Sequence, residues 1–350
     1  MTTLTTRLFT RPETRRWAIT GLAVLASLAV LVVVVAALGA NPARAATSLL
    51  RGALGSRFGL GETLTIASVL MLTGLAAAIP FRAGLWNIGG EGQMYAGAVA
   101  TTAVAFGLPA GVPHAVHVLA CLAAGVVGGA LWGLVPGLLK VRFGANEVIT
   151  TLMLVYVAIY LVDGGISHWW PSRAQTTPPI PESATPATIL AGMSVTWASL
   201  AAVLAVPLAW FVLFRTHLGF EIRATGDNVR AAQLAGIEPP RVRVLAFVIG
   251  GAFGGAAGAI AVIAISQALV SNFSGSFGYI GIAVALMARL HPAWMVGSAL
   301  LFSVLRVGAN QMQVSTGLDP SSGDLLVAVF VLTLMAFHVI RVKQLDSMRR

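Results

Sequence analysis

The sequence predicts an all-α polytopic membrane protein with about ten transmembrane helices, on three observations. First, apolar residues make up 57% of the 350 residues and charged residues 10%, against about 25% charged in an ordinary soluble domain. A soluble fold with that balance could not cover its own surface, so the excess apolar side chains face lipid. Second, the apolar residues fall in runs near the roughly 20 residues that cross a bilayer. Third, the net charge of +10 is gathered in short clusters between those runs, as topology-setting charges are. No contiguous basic face that could track phosphates is formed, which argues against a nucleic-acid partner.

The first candidate span, Trp17–Leu38, follows Arg7, Arg11, Arg15 and Arg16 and precedes Ala43-Arg44-Ala45. That order also describes a cleaved signal peptide, but the run is longer than the usual ~7–15 apolar residues of a signal, so a retained helix is expected. The remaining candidates are Thr63–Pro80, Gln93–Gly107, Val116–Leu139, Glu147–Asp163, Trp197–Phe214, Val244–Ser266, Gly275–Met287, Ala293–Asn310 and Asp324–Ile340. The third and eighth of the series are too short to span as straight helices. With the N-terminus in the cytoplasm, alternation places most of the 22 basic residues inside. These are Arg7, Arg11, Arg15 and Arg16, then Arg82, Lys140, Arg142, Arg289, the tail Arg341, Lys343, Arg349 and Arg350, and Arg215, Arg223, Arg230, Arg241 and Arg243 of one loop. Arg44, Arg51, Arg57 and Arg173 fall outside, and Arg306 lies within a span. The parity closes with both termini cytoplasmic, as the positive-inside rule requires. Residues 1–16 then form a cytoplasmic segment, 17–340 the transmembrane domain and 341–350 a cytoplasmic tail.

Glycines recur every fourth residue at Gly125, Gly129, Gly133 and Gly137, and again at Gly250, Gly254 and Gly258 with Gly251 and Gly255 alongside. Such spacing lets helix backbones approach closely, so tight packing within the bundle is expected; the alternative is contact with a second copy or relative. Cys121, the only cysteine, sits in an apolar run and reads as a small buried hydrophobe.

The loop over 215–243 is the longest expected cytoplasmic connection. Asp227 can cap a helix over Asn228–Ala235, Gly236 suits a left-handed closing position, and Pro239-Pro240 stop continuation. A short helix capped at both ends, presented to the cytoplasm, is a docking piece for another protein; the bland alternative is a solvated loop helix. The string Arg230-Ala231-Ala232-Gln233-Leu234-Ala235-Gly236-Ile237 resembles the coupling helix of permeases of ATP-binding-cassette (ABC) importers. The family's leading glutamate is Arg230 here, a departure found in the sugar and nucleoside branch. Gly219–Asn228 also resembles that branch. The resemblance implies that Glu221, Arg223, Gly226, Asp227, Ala231, Ala232, Gly236 and Ile237 engage an ATPase subunit.

The segment Phe81-Arg82-Ala83-Gly84-Leu85-Trp86-Asn87-Ile88-Gly89-Gly90-Glu91-Gly92-Gln93 breaks two apolar runs. Irregular backbone is tolerated at membrane depth only when buried in protein or lining a cavity. Glu91 in hydrocarbon costs about 2.5–3.5 kcal/mol and needs a partner or a cavity. Part of this segment is therefore expected to re-enter the bilayer, a plain cytoplasmic turn being the alternative. The same string resembles the signature of permeases for ribonucleosides and simple sugars, relatives of the ribose and branched-chain amino acid permeases. Arg142–Ile149, Gly281–Leu286 and Met312 with its neighbouring glutamines match it too, so the likeness covers roughly residues 60–340. Val155 departs from the pattern, which carries asparagine before the tyrosine, here Tyr156.

A nucleoside or sugar path requires amides, hydroxyls and aromatic faces. Candidates are Asn87, Glu91, Gln93, Gln267, Asn272, Phe277, Tyr279, Asn310 and Gln311, each of which can equally be an interhelical hydrogen-bonding group. The outer loop 164–195, with Trp169, Trp170 and five prolines, is too broken to span and suits the interface or a binding protein. No Gly-x-x-x-x-Gly-Lys-Ser/Thr, His-Glu-x-x-His or Gly-x-Ser-x-Gly occurs. The resemblance then implies ATP and magnesium in a partner ATPase, no cofactor in this chain, a second permease subunit, an extracytoplasmic binding protein and a multi-pass place in the bacterial inner membrane. An ion-coupled secondary transporter is the alternative, but it is expected to carry relay carboxylates inside its spans, and Glu91 is the main one.

Overall fold

The computed structural model describes residues 25–333, apart from 27, 28, 31, 110, 171–174, 318, 320–322, 324, 326 and 331. Residues 1–16, the start of the first expected span, Arg173, most of the last span and the 341–350 tail lie outside the described residues. The described residues are helical, with two isolated bridges, Thr176–Val270 and Thr188–Thr196, and no strands.

The chain divides into two compact units, residues 57–303 and a second that joins the residues before 57 to those from 304 onward. The second contains α1 (Pro42–Leu54) and the later part of α11 (Pro292–Thr316), with Gly52 packed on Gln311 and Gly308 on Leu49. No helix was expected at α1. It forms because Asn41 Oδ1 accepts from the backbone N–H groups of Ala43 (3.0 Å) and Arg44 (3.2 Å), and Pro42 stands at the first turn, where its missing N–H costs nothing.

The larger unit carries α2 (Arg57–Arg82), α3 (Gly90–Gly107), α4 (His114–Phe143) and α5 (Glu147–Gly164), the last continued by a π-turn to Trp169. Then come α6 (Trp197–Arg215), α7 (His217–Asp227), α8 (Val229–Leu234), α9 (Pro239–Ile260, prolonged by a π-turn to Ser266) and α10 (Phe277–Met287). Among the described residues, six helices are long and apolar enough to cross a membrane: α2, α4, α5, α6, α9 and α11. α10 has 11 residues, about 16 Å of rise, as its short apolar run predicts. α3 begins three residues earlier than expected and has 18 residues.

Packing follows the glycines. Gly129 and Gly133 of α4 abut Gly251, Gly255 and the Phe247 carbonyl of α9, and Gly125 abuts Ala259 and Gly255. The other α9 stripe turns elsewhere: Gly250 meets Ala76 and Pro80 of α2, Gly254 meets Gln93, and Gly258 meets Met94 of α3. The repeats thus fasten helices within one chain. A methyl group at Gly250 would stand 2.7 Å from the Ala76 oxygen, so these approaches exist only without side chains. α2 is enclosed on nearly all sides, whereas α4 and α5 leave Leu119, Val127, Leu131, Ile149, Met153 and Tyr160 exposed. Cys121 is buried, as expected.

Arg82, Arg289, the end of α4 with Lys140, and α7–α8 lie at one end of this unit. Lys140 pairs with Glu147 at 2.7 Å across the α4–α5 turn, which Gly144 opens at φ +66° and Asn146 closes as the cap of α5. At the other end residues 175–180 run antiparallel to 267–271: Thr177 donates to the Leu269 carbonyl (2.9 Å), Ile180 to Gln267 (2.9 Å) and Ser271 to Gln175 (3.1 Å). Residues 175–180 of the 164–195 loop are therefore held by main-chain bonds over that end.

Candidate functional site

The break after α2 folds back along that helix. Asn87 Nδ2 donates to the Ala76 carbonyl (3.1 Å) and to Gln93 Oε1 (3.2 Å), and its Oδ1 accepts from Gly89 N–H (3.1 Å). Ala76 stands six residues before the end of α2, about 9 Å back along its axis. Ile88 N–H donates to Thr151 Oγ1 (3.3 Å). The segment is thus buried in protein, the condition under which irregular backbone survives at depth. Asn87, Glu91 and Gln93 are all but inaccessible.

Two helix starts converge here. α3 opens at Gly90, and α10 opens at Phe277 after the irregular stretch 267–276, in which Gln267, Asn272 and Ser276 take positive φ. Glu91, in the first turn of α3, reaches across to α10. Its Oε2 accepts from Gly278 N–H (2.7 Å) and its Oε1 from Ser274 Oγ. A carboxylate at a helix N-terminus meets unpaired N–H groups and the positive end of the macrodipole. The partner that Glu91 requires is therefore a hydroxyl and a helix start rather than a cation. Ser274 Oγ also lies 3.3 Å from Tyr95 Oη, Tyr95 Oη donates to Asn272 Oδ1 (3.4 Å), and the Tyr95 and Phe273 rings lie 4.8 Å apart. Tyr279 is 37% exposed and Phe277 only 8%, so of this pair Tyr279 offers a face outward.

Of the path candidates, Asn87, Glu91, Gln93, Asn272, Phe277 and Tyr279 are drawn to these two starts. Gln267 is exposed beside the 175–180 strip, and Asn310 and Gln311 belong to the other unit. Ser274 and Tyr95 were not expected. Ser274 carried a weak signal, a polar residue before glycine where an apolar run restarts as a helix.

The second site is α7–α8. Here the cap differs from expectation. Asp227 ends α7, and Asn228 caps α8, its Oδ1 accepting from Arg230 N–H (3.0 Å) and Ala231 N–H (3.1 Å). Asn228 lies in extended backbone between two helices, with φ −157° and ψ 107°, as a cap must. Gly236 takes φ +82° as expected. Pro239-Pro240, rather than only stopping α8, occupy the first turn of α9, where proline is favoured.

The residues of α8 and of the turn that follows it divide by face. Ala232 and Ile237 are buried with Ile79, Leu85, Leu213, Ile222, Val242 and Phe247. Ala231, Gln233, Leu234, Ala235 and Gly236 point outward, Leu234 at 91% exposure. On α7, Gly226 rests on the Arg82 carbonyl, and Gly84 approaches it with φ +73°. Arg223 donates to the Gly219 carbonyl (3.2 Å) and lies 5.1 Å from the Phe214 ring centroid. Glu221 faces His217 at 3.4 Å. Among the described residues no group of three or more metal-ligating side chains gathers.

Apolar spans, a half-length helix meeting a broken segment, and a capped helix standing off one end are the parts a membrane transport subunit requires. Residues 59–337 match the family described as the permease component of the branched-chain amino acid transport system, and the chain belongs to that family. It is 32% identical to a guanosine ABC transporter permease protein of Bacillus subtilis over 327 residues, covering 91% of this chain and 93% of that protein. It is 35% identical over 334 residues to a glucose ABC transporter permease protein of Haloferax volcanii, covering 90% and 86%. With a nucleoside ABC transporter permease protein of Lactococcus lactis it shares 31% over 327 residues, covering 89% and 88%. The chain is accordingly an integral membrane protein with multiple spans.

Proposed function

We propose that this chain is the membrane subunit of an importer that moves a nucleoside or a simple sugar into the cytoplasm, driven by ATP hydrolysis in a separate subunit. The observation that carries the proposal is α8, capped at both ends, seated by Ala232 and Ile237 and presenting Leu234 almost fully exposed. A rigid, partly apolar knob of this kind suits a cleft in a partner better than open water does. In this reading Ala231, Leu234 and Gly236 meet the ATPase. Ala232, Ile237 and Gly226 transmit force into the bundle, and Glu221, Arg223 and Asp227 surround the contact. ATP and magnesium are held by the ATPase, and this chain supplies no cofactor. A second permease subunit completes the path, and an extracytoplasmic binding protein delivers solute over the 164–195 loop.

The solute class follows the named relatives, which carry guanosine, nucleosides or glucose. Asn87, Glu91, Gln93, Asn272, Phe277 and Tyr279 border its path, with Tyr279 offering a ring to a base or sugar face. The topology that fits the basic residues has ten spans within 17–340 and both termini, 1–16 and 341–350, in the cytoplasm, in the inner membrane of a bacterium.

Uptake of labelled uridine, guanosine, ribose and galactose by cells lacking this gene, with and without a plasmid copy, tests the proposal. Restored uptake is expected to vanish on ATP depletion and to survive collapse of the proton gradient. Uptake that follows the proton gradient would overturn the ATPase-driven reading and favour Glu91 as an ion relay.

A further inference from the structure

Arg82 ends α2 at the point where α6, α7 and the α10–α11 turn come together. Its Nε donates to the Leu290 carbonyl (3.1 Å) and its Nη2 to the Arg289 carbonyl (3.3 Å). These bonds go to main-chain oxygens, and the residues accepting them are unusual. Arg289 and Leu290 are consecutive non-glycine residues at φ 55° and 57°, a backbone that side chains disfavour. A forked cation that binds both carbonyls holds that turn in place. The guanidinium carbon also lies 5.7 Å from the Phe214 ring centroid. Phe214 is shared with Arg223 of α7 at 5.1 Å and stacks on the His291 ring at 5.0 Å. The Arg82 carbonyl is the atom on which Gly226 of α7 sits.

One residue thus touches the α7–α8 loop through its main chain and Phe214, and the start of α11 and end of α10 through its side chain. The other end of α10 is the one bonded to Glu91. Between the ends α10 lies along α2 with no slack: a methyl group at Gly281 would fall 2.6 Å from Thr73 Oγ1, and one at Gly74 would fall 3.1 Å from Val284. An 11-residue helix is thereby held at both ends and along its length.

We infer that Arg82 is a positioning residue for transport: it carries displacement of the α7–α8 loop to α10, whose far end holds Glu91. The inference rests on the reading of α8 as the ATPase contact. The role is distinct from docking, because Arg82 lies behind the loop and α8 presents the outward face.

The test uses the whole complex, permease with its ATPase and binding protein, in proteoliposomes. Uptake and ATP hydrolysis are measured together for wild type, Arg82→Ala and Arg82→Lys. Coupling between sites is commonly about 5- to 150-fold, so Arg82→Ala is expected to lower solute carried per ATP about tenfold, with ATP hydrolysis in the absence of solute within about twofold of wild type. Arg82→Lys keeps the charge and stem but loses the fork and should fall between. If Arg82→Ala fails to assemble, Arg82→Lys decides: an unchanged ratio in that variant overturns the inference. Uptake and hydrolysis that decline together, in proportion to recovered complex, also overturn it, since a merely structural role gives that result. Gly236→Leu separates the two claims. Full uptake by Gly236→Leu sinks the α8 reading, whereas loss there with an unchanged ratio in the Arg82 variants sinks only the Arg82 inference.

Discussion

Replacing Glu91 measures how much the junction of the two helix starts contributes. Its carboxylate accepts from Gly278 N–H at 2.7 Å and from Ser274 Oγ, at 3% exposure. Glu91→Ala removes both acceptors and leaves two buried donors, each costing about 1–3 kcal/mol. A favourable charge at the start of α10 is lost as well, up to about 2 kcal/mol in a partly buried setting. Against these stands the relief of burying a charge, so a net destabilisation of roughly 2–5 kcal/mol is expected. Glu91→Gln keeps one acceptor and a nearly equal volume, and should cost about 1–2 kcal/mol. Reversible unfolding of the purified chain in detergent by a graded denaturant, read by circular dichroism, gives the order wild type, Gln, Ala. Transport should fall in the same order. If Glu91→Ala unfolds within about 0.5 kcal/mol of wild type, the size of an ordinary surface substitution, the carboxylate does not join the two starts and the reasoning fails.

Leu234→Ser should leave stability within about 0.5 kcal/mol, because the side chain is 91% exposed, yet weaken association with the ATPase. Burying a leucine gives about 1.5–3 kcal/mol, so roughly a 10- to 100-fold drop in copurification or in measured affinity is expected, and unchanged affinity refutes the contact. Gly255→Leu places side-chain atoms inside Gly125 and Gly129 of α4; overpacking costs about 1–3 kcal/mol or more, and lower yield of folded chain by detergent chromatography checks it. His291 is held below the ordinary imidazole value, first by burial and then by the Arg82 charge. Its unfolded form takes up a proton more readily than its folded form, so the stability it contributes is complete above the ordinary imidazole value of about 6.5 and is lost as pH falls from there through the lower folded value. His291→Asn should flatten the decline in unfolding midpoint between pH 7 and 5, and an unchanged slope in that variant counts against it.

Much of the fold is legible in local composition, and the reason is the solvent. Lipid offers no hydrogen bonds, so each span must satisfy its own backbone, and helices of about the expected extent appear wherever the apolar runs occur among the described residues. Local chemistry likewise determined the short helix before Gly236, since caps act within a few residues; only the capping residue shifted, from Asp227 to Asn228. The four-residue glycine spacing predicted close packing, and the need of the segment after Arg82 for burial in protein or a cavity followed from its glycines and Glu91; the structure buries it.

Tertiary structure alone decided the partners. Glu91 and Ser274 are 183 positions apart, and nothing near either residue specifies the other. Which glycine stripe of α9 meets α4 and which meets α2 and α3 depends on the rotation of packed helices, which a periodic pattern leaves open. Arg82 was legible as a positive charge at the end of a span, but its grip on the carbonyls of Arg289 and Leu290 spans more than 200 positions. It exists only because α2 and α10 lie side by side. Periodicity and capping are written into neighbouring residues, so a sequence displays them; the pairing of a buried polar group is set by which helices share a core, and that appears only in the folded chain.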